Sequence, residues 1–147
     1  AQEFIDNYFL RYPRVKDFID SQIKSARELG YARTLLGRRR SLPGINSRDN
    51  GLRSFAERQA VNSPLQGSAA DLIKLAMLNI DRKLKQNNLK SLMVMQIHDE
   101  LVFEAPEDEI ALMSRLIKDE MEGVYKLRVP LKVNVKVGRN WQDMEIC

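Results

Sequence analysis

Cysteine and histidine are almost missing from this 147-residue chain, which has one of each, Cys147 and His98. A single cysteine excludes an intramolecular disulfide framework and any cysteine-based zinc site. One histidine cannot replace the missing thiolates, so structural zinc is excluded too. Scarce cysteine fits a reducing interior. No uncharged apolar run approaches the roughly 18 residues of a membrane-spanning helix, which excludes an integral membrane protein of that kind. There is no charged–apolar–small signal pattern at the N-terminus, no internal repeat and no low-complexity segment. A start methionine is absent as well. The chain opens on Ala1-Gln2-Glu3-Phe4-Ile5, already in helical register with no Ser, Thr, Asp or Asn ahead of it as a cap. It reads as a chain cut from a longer protein.

What is present is ordinary for a globular protein, 44% hydrophobic and 30% charged residues, in the size range of one domain or a piece of a larger one. The net charge of +4 is unevenly distributed. Residues 33–58 hold seven Arg, no Lys, one Asp and one Glu. Residues 99–122 hold nine acids against Arg115 and Lys118. A cationic and an acidic block in one small chain suggest a polyanion site near a place that attracts cations, or two solvated faces.

Phe4, Ile5, Tyr8, Phe9 and Tyr12 recur at helical spacing, and Pro13 resets the chain. Val15, Phe18, Ile19, Ile23 and Ala26 continue the period to Leu29, with Gly30 as a left-handed cap. Residues 31–36 and 38–42 flank Gly37 and close on Pro43-Gly44, which predicts a hairpin or two extended segments. A helix is expected from about Leu52 to about Lys85, kinked or broken at Pro64 because proline removes the bond to the Ala60 carbonyl. Leu92–Met95 and Leu101–Phe103 predict two strands of a tight hairpin around Gln96-Ile97-His98-Asp99-Glu100. Pro106 and three acids start another helix, ended by Gly123. Leu131, Val133, Val135 and Val137 alternate with polar residues as a half-buried strand. Strands joined by hairpins with helices laid on them describe an α+β fold with a small antiparallel sheet.

Three groups could carry chemistry. Asp99 and Glu100 are adjacent carboxylates at a turn, repelling each other unless a positive charge sits near. Mg²⁺, which takes oxygen ligands and often needs one or two carboxylates plus substrate phosphates, suits them; plain turn chemistry explains them equally. His98 beside them is a hydrogen-bonded structural residue, or else a ligand or base. Arg58, Asn62 and Gln66 follow each other at four-residue steps and share a helix face. Arg grips phosphate, and Asn and Gln bond base edges or sugar oxygens, a stripe suited to the minor groove of a duplex or simply a polar face. Arg38, Arg39 and Arg40 are a phosphate-binding cluster or solvated surface.

The order of three segments resolves this. Thr34-Leu35-Leu36-Gly37-Arg38-Arg39-Arg40, then residues 57–71 (Glu-Arg-Gln-Ala-Val-Asn-Ser-Pro-Leu-Gln-Gly-Ser-Ala-Ala-Asp), then Gln96-Ile97-His98-Asp99-Glu100-Leu101-Val102 resemble the C-terminal end of the bacterial family A DNA polymerases, and the likeness runs to Trp141. The resemblance implies residues 1–50 in the fingers and 51–147 in the palm of a larger polymerase domain, in a cytoplasmic bacterial enzyme. It implies that Asp99 is one of two metal-holding aspartates, Glu100 an auxiliary carboxylate and metal neighbour, and His98 a group close to the primer terminus. Arg58, Asn62 and Gln66 would touch the minor groove of the primer–template, and Arg38, Arg39 and Arg40 the template backbone. The implied partners are primer–template DNA and deoxynucleoside triphosphates, with no membrane, and the implied cofactor is Mg²⁺ in a two-metal site.

The family's first motif, an Asp followed by Tyr-Ser-Gln-Ile-Glu, is absent, as is the helix with an Arg, a Lys and an aromatic that grips the incoming triphosphate. The chain alone is therefore expected to be inactive. Two other classes are compatible with parts of the pattern. One is a non-catalytic nucleic-acid-binding module running on the Arg block, marked by full DNA affinity without Asp99 and Glu100. The other is a single-subunit RNA polymerase, to which the stripe and the Arg run are less similar.

Overall fold

The computed structural model describes residues 2–146; Ala1 and Cys147 lie outside the described residues. Helices α1 (Gln2–Arg11) and α2 (Pro13–Leu29) are followed by strands β1 (Tyr31–Arg33) and β2 (Arg39–Ser41) and the long helix α3 (Asn50–Gln86). Strands β3 (Leu92–Ile97) and β4 (Glu100–Glu104), a 3₁₀ turn at Glu107–Glu109, helix α4 (Ile110–Glu122) and the two-residue strands β5 (Lys136–Val137) and β6 (Glu145–Ile146) complete the chain. The fold is α+β. The expected single small sheet is replaced, among the described residues, by three separate antiparallel pairs, β1–β2, β3–β4 and β5–β6. The chain divides into two compact units, Ala1–Ser68 and Ala69–Cys147, with the division falling inside α3.

In the first unit, Pro13 occupies the first turn of α2, and Gly30 ends it at φ +77° with its N–H donating to the Ala26 carbonyl at 2.8 Å. A left-handed residue there is easiest for glycine. The core is built from Ala26, Ala32, Leu42, Ile45, Ala56 and Ala60. Small residues on α2, β1 and α3 let backbones approach closely, and Leu42 and Ile45 fill the remaining space. The aromatic face of α1 is present but uncovered. Tyr8 packs edge-on against Phe9 at 5.6 Å and against Tyr12 at 5.2 Å, yet no residue of α1 is buried.

Helix α3 begins two residues earlier than the periodicity predicts, because the Asp49 carboxylate accepts the Leu52 N–H at 2.8 Å and caps it. It also runs through Pro64 as one continuous helix, so of the kink or break expected there the break does not occur. Packing supplies the reason. Ala56, Ala60 and Ser63 on the turns before the proline are buried, and the Ser68 hydroxyl donates to the Pro64 carbonyl. Burial on one side outweighs one missing backbone bond.

In the second unit, Ile80, Leu84 and Met113 are buried, with Met93, Leu101, Phe103, Leu116 and Ile117 among the side chains packed on them. The β3–β4 hairpin is held at its base by Glu109. Its carboxylate accepts the N–H groups of Lys90 (2.8 Å) and Ser91 (2.9 Å) and the Ser91 hydroxyl. Those bonds, the Lys90 N–H first and the Ser91 hydroxyl next, hold the Glu109 carboxyl below the usual glutamate range, against an opposing effect of burial. The expected strand from Leu131 to Val137 is only partly realised. Exposure alternates as predicted, but a ladder forms only at Lys136–Val137, with Glu145–Ile146. Pro130 offers no N–H, and the Val133 N–H goes to the Glu122 carboxylate at 2.9 Å rather than to a strand.

Candidate functional site

The acidic tip is made by the shortest connection two strands allow. Ile97 pairs with Glu100, leaving His98 and Asp99 as the whole loop. His98 takes φ +52°, a left-handed conformation that costs a residue with a Cβ about 1 kcal/mol or more and that occurs at functional turns. His98, Asp99 and the adjoining Glu100 are all exposed. Among the described residues no hydrogen bond or ion pair engages the Asp99 or Glu100 carboxylate; the Gln96 side-chain amide donates to the His98 carbonyl at 2.7 Å.

A bulge decides which way the tip faces. Met93 pairs with Phe103 and Met95 with Val102, so Val94 is an extra residue. Met93, Leu101 and Phe103 lie on the core. Past the bulge, Met95 and Ile97 point to the other face, and Glu100, opposite Ile97, goes with them. Strict alternation would have put Met93, Met95 and Ile97 together on the core side.

The donor set fits Mg²⁺ in kind: two adjacent carboxylates supply hard oxygen donors without having to break an existing ion pair. In number it falls short, since the described residues contain no group of three or more His, Cys, Asp or Glu able to hold a metal ion. The remaining ligands must come from water, substrate phosphates or a further carboxylate.

The cationic group lies in the first unit. Arg58, Asn62 and Gln66 are exposed along α3, each about 6 Å further along the axis and turned by about 40°. The Arg58 guanidinium lies 5.9 Å from the ring centre of Phe55, itself half exposed and one turn earlier on the same face. In the hairpin, Tyr31 pairs with Ser41, Ala32 with Arg40 and Arg33 with Arg39. Arg40 thus shares a face with the buried Ala32, while Arg39 shares one with Tyr31 and its guanidinium lies 4.7 Å over that ring.

The hairpin loop is strapped to α3 by Arg38 and by Leu35, Gly67 and Ser68, to which the sequence reading assigned no role. The Leu35 N–H donates to the Ser68 hydroxyl at 2.8 Å, and Arg38 Nη2 donates to the Gly67 carbonyl at 3.0 Å. Thr34 and Gly37 close the loop, with the Gly37 N–H on the Thr34 carbonyl at 2.9 Å and Gly37 at φ +87°. Gly67 is what allows the crossing, because a Cβ there would stand 2.5 Å from Thr34 Cγ2. The signal was available: a glycine and a serine next to Gln66 inside a long helix are poor helix formers needing a reason. As a result Thr34, Arg38, Arg39, Arg40, Ser63 and Gln66 line one cavity of about 90 Å³. Two groups that look independent in the sequence, the Arg run and the end of the stripe, meet there.

No helix among the described residues is long and apolar enough to cross a membrane. The family model of DNA polymerase family A matches residues 1–143. Among curated proteins the chain is 50% identical over 143 residues to DNA polymerase I of Caldicellulosiruptor bescii, covering 97% of this chain and 17% of that protein. It is 48% identical over 143 residues to DNA polymerase I of Geobacillus stearothermophilus, covering 97% of this chain and 16% of that protein. The chain thus spans about one-sixth of the length of the curated relatives it matches. Among solved structures, the POL domain of Pol1 from M. smegmatis, in complex with DNA primer–template and dNTP, superposes with a TM-score of 0.88 at 43% identity, over 90% of this chain and 23% of that one.

Proposed function

The chain belongs to DNA polymerase family A, and from that we propose that it works as the palm-and-fingers portion of a template-directed DNA polymerase, adding deoxynucleotides to a primer 3′-hydroxyl in the cytoplasm. The observation that carries this reading is the tip of the β3–β4 hairpin: two unpaired carboxylates, Asp99 and Glu100, on a two-residue turn built on a packed strand pair. Asp99 is the metal ligand in this reading and Glu100 the auxiliary carboxylate, both toward Mg²⁺ shared with an aspartate outside this chain. Bound divalent ions supply the activation of the primer hydroxyl and the charge that offsets the leaving pyrophosphate. His98 positions the primer terminus. Arg58, Asn62 and Gln66 touch the minor groove, where acceptors are placed alike in all base pairs, so pair geometry is checked without choosing sequence. Arg38, Arg39 and Arg40 serve the template backbone. The fingers assignment covers 1–50 and the palm assignment 51–147.

The test uses a polymerase assembled from this chain and the remainder of Geobacillus stearothermophilus DNA polymerase I. Mg²⁺-dependent primer extension is expected of it, and Asp99→Ala should lower kcat by at least about 10²–10³-fold, since a group acting on the transition state is lost. Gln66→Ala in the same background should weaken extension from the primer end with metal dependence unchanged. Normal turnover by the Asp99→Ala protein would remove the metal role.

A further inference from the structure

We propose that Glu109 and Ser91 are positioning residues for divalent-ion binding at the tip of the β3–β4 hairpin. Their clasp keeps the surplus residue of β3 in its bulge, and the bulge aims Asp99 and Glu100. The proposal deepens the polymerase reading above and rests on it.

Three observations support it. The first is the direction of the Glu109 side chain. Glu109 stands at the start of α4, where a polar side chain ordinarily caps its own helix, yet it makes no capping bond there. Instead Oε1 accepts the Lys90 N–H, and Oε2 accepts both the N–H and the hydroxyl of Ser91. Ser91 is 2% exposed, so water cannot replace the carboxylate without opening the base of the hairpin. The second observation is the composition of β3. Leu92-Met93-Val94-Met95 is apolar throughout, so side-chain pattern does not choose whether Met93 or Val94 faces the core. The pair has no third strand among the described residues, and a two-stranded ladder holds register weakly. A fixed point is needed, and the clasp supplies it at residues 90 and 91.

The third is a count. From the pair Leu92–Glu104 to the pair Ile97–Glu100, β3 has six residues and β4 five. With the turn fixed at one end and the clasp at the other, the surplus residue must lie between them, and it lies at Val94. Release of the clasp lets β3 slip by one residue toward its base, about 3.3 Å. Val94 then faces Phe103, Met93 faces Glu104, the pairs nearer the tip are kept and the bulge is gone. A bulge bends its strand and adds twist, so its loss turns the tip relative to the core beneath it. Asp99 and Glu100 then stand differently toward an ion shared with a carboxylate outside this chain, and a misplacement of about 1 Å weakens such a site.

The test uses the assembled polymerase described above, with initial rates of primer extension measured across Mg²⁺ concentrations. Glu109→Gln sets an amide donor against the donors of Ser91. It is expected to raise the Mg²⁺ concentration for half-maximal rate by about 3- to 10-fold, below the ~10–100-fold of a group bonded directly to a metal ligand, because the clasp acts through the strand. Ser91→Ala should raise it by about 2- to 5-fold, and the double variant no further than Glu109→Gln alone, since both remove the same clasp. Asp108→Asn removes a neighbouring exposed charge outside the clasp and should leave the midpoint in place. A merely structural loss lowers the rate through the active fraction and does not move that midpoint. Should Glu109→Gln fail to fold, Ser91→Ala carries the same measurement. Cross-strand NOEs in the 147-residue chain report the slip without activity: Leu92 stands opposite Glu104 in wild type, and Met93 is expected there in Glu109→Gln.

Equal midpoint shifts in Glu109→Gln and Asp108→Asn would reduce the effect to local charge and overturn the positioning role. A Glu109→Gln chain that keeps Leu92 opposite Glu104 overturns it as well. If Asp99→Ala abolishes extension while the clasp variants leave the midpoint in place, the clasp fails and the polymerase reading stands. Normal extension by Asp99→Ala fails that reading, and a register shift in Glu109→Gln would then mark a structural lock alone.

Discussion

Gly67 stands in the middle of α3, where glycine costs about 1 kcal/mol relative to alanine. The penalty is offset by the loop crossing, since only a residue without Cβ leaves room for Thr34 Cγ2. Thr34 cannot simply swing away: it is β-branched, and its hydroxyl accepts the Arg38 N–H at 3.1 Å. Gly67→Ala is therefore expected to lower the unfolding free energy, an overlap cost of roughly 1–3 kcal/mol outweighing the helical gain. Adding Thr34→Ser, which removes the clashing methyl and keeps the hydroxyl, should bring the double variant to wild-type stability or above. Urea denaturation of the two variants checks this, and a Gly67→Ala protein more stable than wild type would contradict the crossing. At this scale the sequence was readable where chemistry has a spacing. Arg58, Asn62 and Gln66 fall on one face because helical geometry demands it. Ser63 was not readable, since nothing in one dimension tells a serine with a buried, unpaired hydroxyl from one facing water.

Elements were legible wherever local signals agreed. The Gly30 cap, the β1–β2 hairpin, the body of α3 and the β3–β4 hairpin follow from periodicity and turn chemistry, although the strands run on to Ile97 and from Glu100 and leave two residues between them where five were expected. They were misread where tertiary contacts overrode a local rule. Pro64 does not break α3, where Ala56, Ala60 and Ser63 on the turns before it are buried. The Leu131–Val137 segment alternates without forming a ladder along its length, because a strand needs a partner and periodicity supplies only a face. The clamp of Glu109 on the start of β3 joins two elements 18 residues apart and has a pH signature. Its folded-state pKa lies below the unfolded value. The clamp's contribution is thus fully present above the unfolded glutamate pKa, about 4.3, and is lost as pH falls through the lower folded value. Chemical denaturation between pH 7 and pH 3 should show Glu109→Gln with a shallower acid loss than wild type. Parallel curves would mean the carboxylate stays protonated or the clamp is absent in solution.

For the whole molecule, the decisive facts are family and share. The chain matches DNA polymerase family A over residues 1–143 and covers about one-sixth of its curated relatives. The described residues offer two carboxylates at the hairpin tip and no larger ligand cluster. A two-metal site needs more oxygen donors than that. Primer extension by the 147-residue chain alone, with Mg²⁺ and all four deoxynucleoside triphosphates, should accordingly give no product above background. Robust extension would mean that these residues complete a site by themselves, and the division of labour proposed here would have to be abandoned.

Composition, helical period, turn residues and motif order by themselves determined the α+β class, the positions of most elements and the polymerase family, because each is a local property written in neighbouring residues. Tertiary structure alone decided which side of β3 carries Met95, Ile97 and Glu100, since one bulged residue reverses the faces beyond it. It alone brought Arg40 and Ser63, 23 positions apart, to the same cavity. Those outcomes depend on how backbones cross and on which atoms are left without partners, and such facts exist only once the chain has folded in three dimensions.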